Sequence, residues 1–106
     1  MIAVIFEVEM HDGREQEYFA LAAKLRSEVE QIDGFISVER FQSTTEPNKY
    51  VSLSFWRDEA AVAAWRAHAG HGLAQERGKE EIFADFRIRV AKVERDYSLA
   101  DRITAE

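Results

Sequence analysis

The 106-residue chain contains no cysteine, only one proline and no long apolar run. The absence of cysteine excludes disulfides, iron–sulfur clusters, thiolate metal sites and cysteine nucleophiles. No apolar stretch approaches the roughly 20 residues that a membrane-spanning helix needs. The chain starts with MIAVIFEVEM, which lacks the basic beginning of a signal peptide. The sequence therefore predicts a cytoplasmic protein that does not associate with a membrane.

Positive charge is also scarce, because 20 acidic residues stand against 14 basic ones and leave a net charge of −6. Nucleic-acid binding generally requires a basic surface, so we expect no nucleic-acid partner. The sequence also lacks a glycine-rich phosphate loop, a G-x-S-x-G elbow, an H-E-x-x-H pair and a dinucleotide fingerprint. It therefore does not support phosphoryl transfer, nicotinamide chemistry or zinc-dependent hydrolysis.

Hydrophobic periodicity predicts six elements in the order strand, helix, strand, strand, helix, strand. The predicted strands are residues 2–10, 35–43, 50–56 and 86–97. This order is typical of the ferredoxin-like split βαβ arrangement, an α+β fold in which a four-stranded antiparallel sheet carries both helices on one face. We expect one domain over residues 1–97 and a polar C-terminal tail over residues 98–106.

Local signals predict the helix boundaries. Asp12 and Glu15 form a potential capping box for the first helix. Asp58 is the expected N-cap of the second helix. Gly70 and Gly72 are expected to interrupt that helix, with a short second helical piece after them.

Two helices cover only one face of such a sheet, yet both faces carry apolar residues. Ile5 alternates with Val4 on the first strand, and Phe55 alternates with Trp56 on the third. A sheet face open to water should alternate more cleanly, and an exposed apolar patch of this size is unusual for a monomer. We therefore predict a homodimer in which a second copy packs against the uncovered face.

The most unusual stretch is residues 63–78, AAWRAHAGHGLAQERG, which places an indole, two imidazoles and an amide among alanines and glycines. Trp65 lies on the helix stripe that faces the sheet, where a tryptophan can simply pack in the core. Alternatively, the small neighbouring alanines leave room for the indole to form an apolar pocket wall with one N–H donor. The sequence leaves both interpretations open.

His68 and His71 are three residues apart, so both imidazoles can lie on one side of a continuous helix. The spacing resembles a metal-binding pair, but no third ligand lies nearby in the sequence, so no metal is predicted. Solvated histidines at a fraying helix end are the alternative to a functional role. A functional His71 could transfer protons near neutral pH, and Gln75 could orient it.

Arg87 and Arg89 alternate with apolar residues in the last strand and should project from one face of the sheet. Ion pairing with Glu7, Glu9 or Glu39 is one interpretation. The alternative is a guanidinium that binds an anionic or quinone oxygen.

Several segments resemble the antibiotic biosynthesis monooxygenase (ABM) family of dimeric α+β barrel proteins. They are GFISVERFQS, KYVSLSFWRDEAAVAAWRAHAGHGLAQERG and FRIRVAKVERDYS, and the resemblance extends over nearly all of residues 2–97. It implies a homodimer with one site per subunit, between the sheet and the second helix. In quinone-forming members, molecular oxygen oxidises a small phenolic, quinol or anthrone-like aromatic molecule without flavin, haem or metal.

By this resemblance the chain is expected to be a cofactor-independent monooxygenase. Trp65 would be a pocket wall and hydrogen-bond donor, and His71 would transfer the proton. The remaining candidate substrate contacts are His68, Gln75, Phe55 and Arg89. Such chemistry requires an apolar cavity, a donor for the developing oxyanion and a proton acceptor.

Two alternatives stay open. A haem-degrading branch of the same superfamily uses an asparagine in the first strand, a tryptophan in the second helix and a downstream histidine as the iron ligand. Here Trp65 matches, but Gln75 stands at the ligand position and Glu7 or Phe6 stands where the asparagine is needed, so no haem is expected. The second alternative is a dimeric small-molecule-binding module without turnover.

Overall fold

The computed structural model describes residues 1–75 and 82–101, with side chains for residues 1–68 and 82–101. Its elements are β1 (Ile2–Met10), α1 (Glu15–Val29), β2 (Phe35–Gln42), β3 (Lys49–Trp56), α2 (Glu59–Gln75) and β4 (Phe83–Lys92). The four strands form one antiparallel sheet in the order β2-β3-β1-β4. The structure thus confirms the predicted ferredoxin-like α+β fold.

The strand register defines two faces of the sheet. Ile2 lies opposite Trp56 of β3, and Val8 lies opposite Tyr50 of β3 and Phe86 of β4. Paired residues of antiparallel strands point to the same side, so the even-numbered residues of β1, of β3 and of β4 from Phe86 onward share one face. A register shift opposite Glu9 and Met10 brings Phe83 to the same side. Buried residues of both helices pack on this side, which we call the helix face. The other side is the open face.

One irregularity in β2 changes which side chains reach the helix face. Phe35 pairs with Trp56, but Ser37 pairs with Phe55, so β2 contains one extra residue at this point. This β-bulge reverses the phase of the strand. Simple alternation would place Phe35 and Phe41 on one face, whereas the register puts Phe35 on the helix face and Phe41 on the open face.

The helix starts confirm one predicted cap and correct another. The Ala61 backbone N–H donates to Asp58 Oδ1 at 2.9 Å, so Asp58 is the N-cap of α2 as predicted. The predicted capping box of α1 is wrong, because Arg14 directly precedes the helix and no side chain caps it. Asp12 instead accepts a hydrogen bond from Asn48 Nδ2 at 2.6 Å, which ties the β1–α1 turn to the β2–β3 turn.

α2 is a single helix through Gly70 and Gly72 as far as Gln75, so the expected interruption is wrong. A glycine in a helix costs only about 1 kcal/mol relative to alanine, and the surrounding alanines favour the helix. The second helical piece, predicted over residues 73–83, falls largely outside the described residues. No helix in the described ranges is long and apolar enough to span a membrane.

β4 begins and ends earlier than the predicted 86–97. Its length follows from its pairing partner, since Phe83 lies opposite Met10 and Lys92 lies opposite Ile2 at the two ends of β1. Beyond Lys92 no residue of β1 is left as a partner, and the pairing ends where the Val93 backbone N–H donates to Met1 O at 3.0 Å.

The hydrophobic core forms two clusters at opposite ends of the helix face. The first core cluster joins one end of β1 to the end of α1 and the start of α2, and its buried residues are Ile2, Val29, Trp56, Ala61 and Val62. The second core cluster joins the other end of β1 to the start of α1 and of β4, and its buried residues are Val8, Met10, Tyr18, Ile82 and Phe83. The centre of the helix face lies between them.

Candidate active site

The centre of the helix face is less well packed than its two ends. Along β1, Ile2 is 7% exposed and Val8 is fully buried. Val4 and Phe6, between them on the same face, are only partly buried. We call this region, between the two core clusters, the central strip.

β4 contributes an apolar and exposed edge to the central strip. Phe86, Ile88 and Val90 are 41%, 55% and 44% exposed. The register nevertheless places them on the helix face, with Ile88 opposite Phe6. Exposed apolar side chains that adjoin a packed core are typical of a binding surface. Sequence analysis took these residues as ordinary strand positions, because periodicity alone does not show which of them a helix covers.

Trp65 lies at the boundary between the first core cluster and the central strip. Its partly buried ring stacks against Trp56, with ring centroids 6.4 Å apart, and against His68, with centroids 5.6 Å apart. Trp56 is 1% exposed, and its Nε1 donates to Ser54 Oγ at 2.9 Å. The buried Trp56 therefore holds the Trp65 indole in place while part of that indole stays exposed.

His68 links the two helices. Its Nε2 lies 3.6 Å from Glu28 Oε2 of α1, and its ring stacks on Trp65. The side chain is 49% exposed, so it remains accessible. A neutral imidazole that stays exposed and is stacked on an aromatic ring can accept a proton from a bound molecule. Sequence analysis left a solvated His68 open as the alternative to a functional role, because it could not show that Glu28 on another helix comes this close.

Phe55 and Arg89 lie on the open face and are not brought together with Trp65. Phe55 lies opposite Ala3 in the register, and Arg89 Nη1 lies 3.0 Å from Glu7 Oε2. The hydrogen bond from Arg89 lowers the pKa of the Glu7 carboxyl below its ordinary value. The ion-pair interpretation of Arg89 is therefore confirmed, and within one chain neither residue adjoins the central strip.

His71 and Gln75 belong to the last turns of α2, and their side chains lie outside the described part of the structure. Their predicted roles stay predictions. Among the side chains described, no three His, Cys, Asp or Glu residues are arranged to hold a metal ion.

A row of four residues crosses the central strip from one edge of the sheet to the other. Arg40 lies opposite Ser52, Ser52 opposite Phe6, and Phe6 opposite Ile88. Adjacent strands are about 4.8 Å apart, so this row extends over roughly 14 Å, from a cation through a hydroxyl to apolar side chains. Sequence analysis missed Arg40, and its alternation with Val38, which packs on the first core cluster, was the available signal.

The positive charge of Arg40 acts on the interior of the helix face. Burial raises the pKa of the Tyr18 phenol above its ordinary value, and the charge of Arg40 opposes this shift. Arg40 itself is partly buried. None of the ion pairs formed between described residues involves Arg40.

The chain matches known proteins both in sequence and in fold. A family model for antibiotic biosynthesis monooxygenase matches residues 1–77. The jasmonate monooxygenase ABM of Pyricularia oryzae is 42% identical over 93 residues, which are 88% of this chain and 43% of the relative. The chain therefore spans less than half the length of that relative.

Solved structures share the fold at low sequence identity. Rv0793 of Mycobacterium tuberculosis superimposes with a TM-score of 0.78 at 19% identity, over 92% of this chain and 98% of the other. SO0527 of Shewanella oneidensis has a TM-score of 0.74 at 21% identity, over 85% and 87% of the two chains. These likenesses concern the fold alone, whereas the family match covers most of the sequence. The chain belongs to the antibiotic biosynthesis monooxygenase family.

Proposed function

We propose that this chain is a monooxygenase that uses molecular oxygen to oxidise a small aromatic, phenolic or quinol-type molecule bound at the central strip. The observation that carries this proposal is the exposed apolar edge of β4 on the helix face, together with the stack of Trp65 and His68 on α2. An apolar surface that adjoins a few oriented polar groups is the usual composition of a small-molecule site. Family membership supports the same reaction class.

The proposed reaction does not require a resident cofactor if the substrate ionises readily. Loss of the phenolic proton produces a phenolate, which can transfer an electron to oxygen. A carbon–oxygen bond then forms, the oxygen–oxygen bond breaks, and the second oxygen atom leaves as water. For a phenol oxidised to a quinone, the substrate and one O2 give the quinone and one H2O. The protein has to exclude water, stabilise the anion and accept the proton.

The described residues offer groups for these tasks. The indole of Trp65 supplies an apolar wall and one N–H donor beside the strip. His68, stacked on Trp65, is the described imidazole that we propose accepts the proton. His71 and Gln75 remain the candidates that the sequence predicted, for proton transfer and for substrate orientation.

The dimer is part of the proposal. The open face has an apolar centre in which Ile5 lies beside Leu53, and Ala3 beside Phe55. A second copy of the chain, related by a two-fold axis, would remove this surface from water. Such a dimer would leave the helix face of each subunit free to bind its substrate.

Oxygen consumption tests the proposed activity. We would assay the protein with an anthrone, a naphthalene quinol and jasmonate, the last because of the name of the 42%-identical relative. With an accepted substrate, Trp65→Ala and His68→Ala should each lower kcat/KM by about 100-fold, since both act directly on the bound molecule. His11→Ala, at an exposed turn position, is the matched control and should retain full activity.

Two results would separate the proposal from its alternatives. Substrate binding without oxygen consumption for any member of the panel would identify a non-catalytic binding module. A Soret shift on titration with hemin would identify a haem-binding relative. Unchanged turnover in both Trp65→Ala and His68→Ala would contradict the site assignment even if the protein is active.

A further inference from the structure

We propose that Arg40, with Ser52 beside it, is a binding subsite for the carboxylate of an amphipathic substrate whose apolar part lies along Phe6 and Ile88. The proposal rests on the function proposed above, because it names the substrate class of the same strip. It assigns a role to a charged residue that the monooxygenase chemistry itself does not use.

The electrostatic surroundings of Arg40 are the first argument. The guanidinium is partly buried on the helix face, and no described carboxylate is paired with it. By contrast, Arg14, Arg26, Arg57 and Arg89 each form an ion pair with a nearby carboxylate. Removing a charge from water is unfavourable unless an opposite charge compensates it. A bound anion would supply that compensation.

The chemistry of the row favours a carboxylate. A guanidinium presents parallel N–H donors that match the two oxygens of a carboxylate. Ser52 lies directly opposite Arg40, so their Cβ atoms are about 5 Å apart and the serine hydroxyl can donate to the same group. The chain has a net charge of −6, which repels anions in general. A local cation is therefore needed to hold an acidic substrate.

The rest of the row determines the shape of the ligand. From Ser52 the row continues to the Phe6 ring and then to Ile88, which is exposed at the sheet edge. A molecule of this shape has its acid group at the β2 edge and its apolar ring or chain toward β4.

Binding of an acid and its ester tests the subsite without requiring turnover. The probes are 4-phenylbutyrate and methyl 4-phenylbutyrate, which share the apolar part and differ in charge, and the readout is the Kd from isothermal titration. The native chain should bind the acid at least about 10-fold more tightly than the ester. Arg40→Gln should raise the Kd of the acid by about 10- to 30-fold and leave that of the ester unchanged.

Two further variants make the test specific. Arg26→Gln removes the same charge from an exposed ion pair on α1 and should change neither Kd. Arg40→Lys retains the charge but not the planar donor pair, so the acid should bind about 3- to 10-fold more weakly than in the native chain. Thermal unfolding of each variant verifies that it is folded.

The proposal is overturned if the native chain does not distinguish the acid from the ester, or if Arg40→Gln weakens both equally, as a structural role would. These outcomes are independent of oxygen consumption. A chain that selects the acid through Arg40 but oxidises nothing retains the subsite and loses the proposed function. A chain that oxidises neutral phenols but does not select acids retains the proposed function and loses the subsite.

Discussion

Arg40 and Arg89 lie on opposite faces of one sheet, and they differ in whether a described carboxylate is paired with them. Arg89, on the open face, is paired with Glu7 at 3.0 Å, and both side chains are partly exposed. Arg40, on the helix face, is partly buried, and no described carboxylate compensates its charge. The paired arginine is neutralised within its own chain, whereas the other is available to an anion from outside.

The same contrast applies to the apolar side chains of the two faces. On the helix face the two core clusters bury the ends of β1, whereas Val4 and Phe6 between them are only partly buried. On the open face the apolar centre is crossed by the Glu7–Arg89 pair, as a polar contact within a subunit interface would be. We therefore propose that the helix face binds the substrate and that the open face packs against a second copy.

The largest expected effect is on folding and comes from the first core cluster. Trp56→Ala should lower the free energy of unfolding by about 3–5 kcal/mol, because it removes a buried indole and leaves a cavity. Trp56→Phe retains most of the volume, loses the hydrogen bond to Ser54, and should cost less. Urea denaturation measures both. A loss of under 1 kcal/mol in Trp56→Ala would show that the first core cluster is not tightly packed. It would contradict the contrast between the buried ends and the partly buried centre of the helix face.

The next effect concerns the open face. Leu53→Asp places a carboxylate beside Ile5 in the apolar centre, and the cost of burying that charge should weaken the dimer by about 100-fold, on the order of 3 kcal/mol. Sedimentation velocity over a range of concentrations measures the change. Leu99→Asp is the matched control at a position that is 75% exposed. If the native chain sediments as a monomer, the proposal that the open face packs against a second copy is wrong.

The smallest effect is a pH dependence that distinguishes the two arginines directly. Glu7 has a folded-state pKa below its ordinary value of 4.5, chiefly because Arg89 donates a hydrogen bond to it. The pair therefore stabilises the fold above that pH, and the stabilisation is lost as the pH falls through the folded-state pKa. Arg89→Gln should lower Tm slightly at pH 7 and reduce the further loss of Tm between pH 5 and about 3.

Arg40→Gln provides the comparison for that measurement. Because no described carboxylate is paired with Arg40, its removal should leave the slope of Tm against pH in the acidic range unchanged. If Arg40→Gln reduces the slope as much as Arg89→Gln does, Arg40 has a carboxylate partner within the protein, and the contrast between the two arginines is wrong.

Much of the fold follows from local pattern. Alternating apolar residues in β1 and β3, and the cap at Asp58, were sufficient to predict the order of elements and the start of α2. The errors have identifiable causes. Glycines at 70 and 72 do not interrupt α2, because alanines nearby favour the helix. The bounds of β4 are set by the length of β1, a property of the partner strand rather than of β4 itself.

The candidate site was less predictable than the fold. The sequence singled out Trp65 as a candidate, but its stack on Trp56 depends on where β3 and α2 meet. His68 acquired a defined neighbour only through Glu28 of the other helix. Phe55 and Arg89 were grouped with Trp65 by resemblance, yet strand alternation places both on the other side of the sheet. Sequence similarity does not convey which face a side chain occupies.

By itself the sequence determined the class of fold, the family resemblance and the types of chemistry that the chain does not support, because these depend on composition and on short-range periodicity. Only the tertiary structure decided that Arg40, Ser52, Phe6 and Ile88 form one row. They come from four strands, and a single bulge in β2 sets the side on which Arg40 emerges. Contacts between residues distant in sequence depend on register, and the packing of the whole sheet fixes that register.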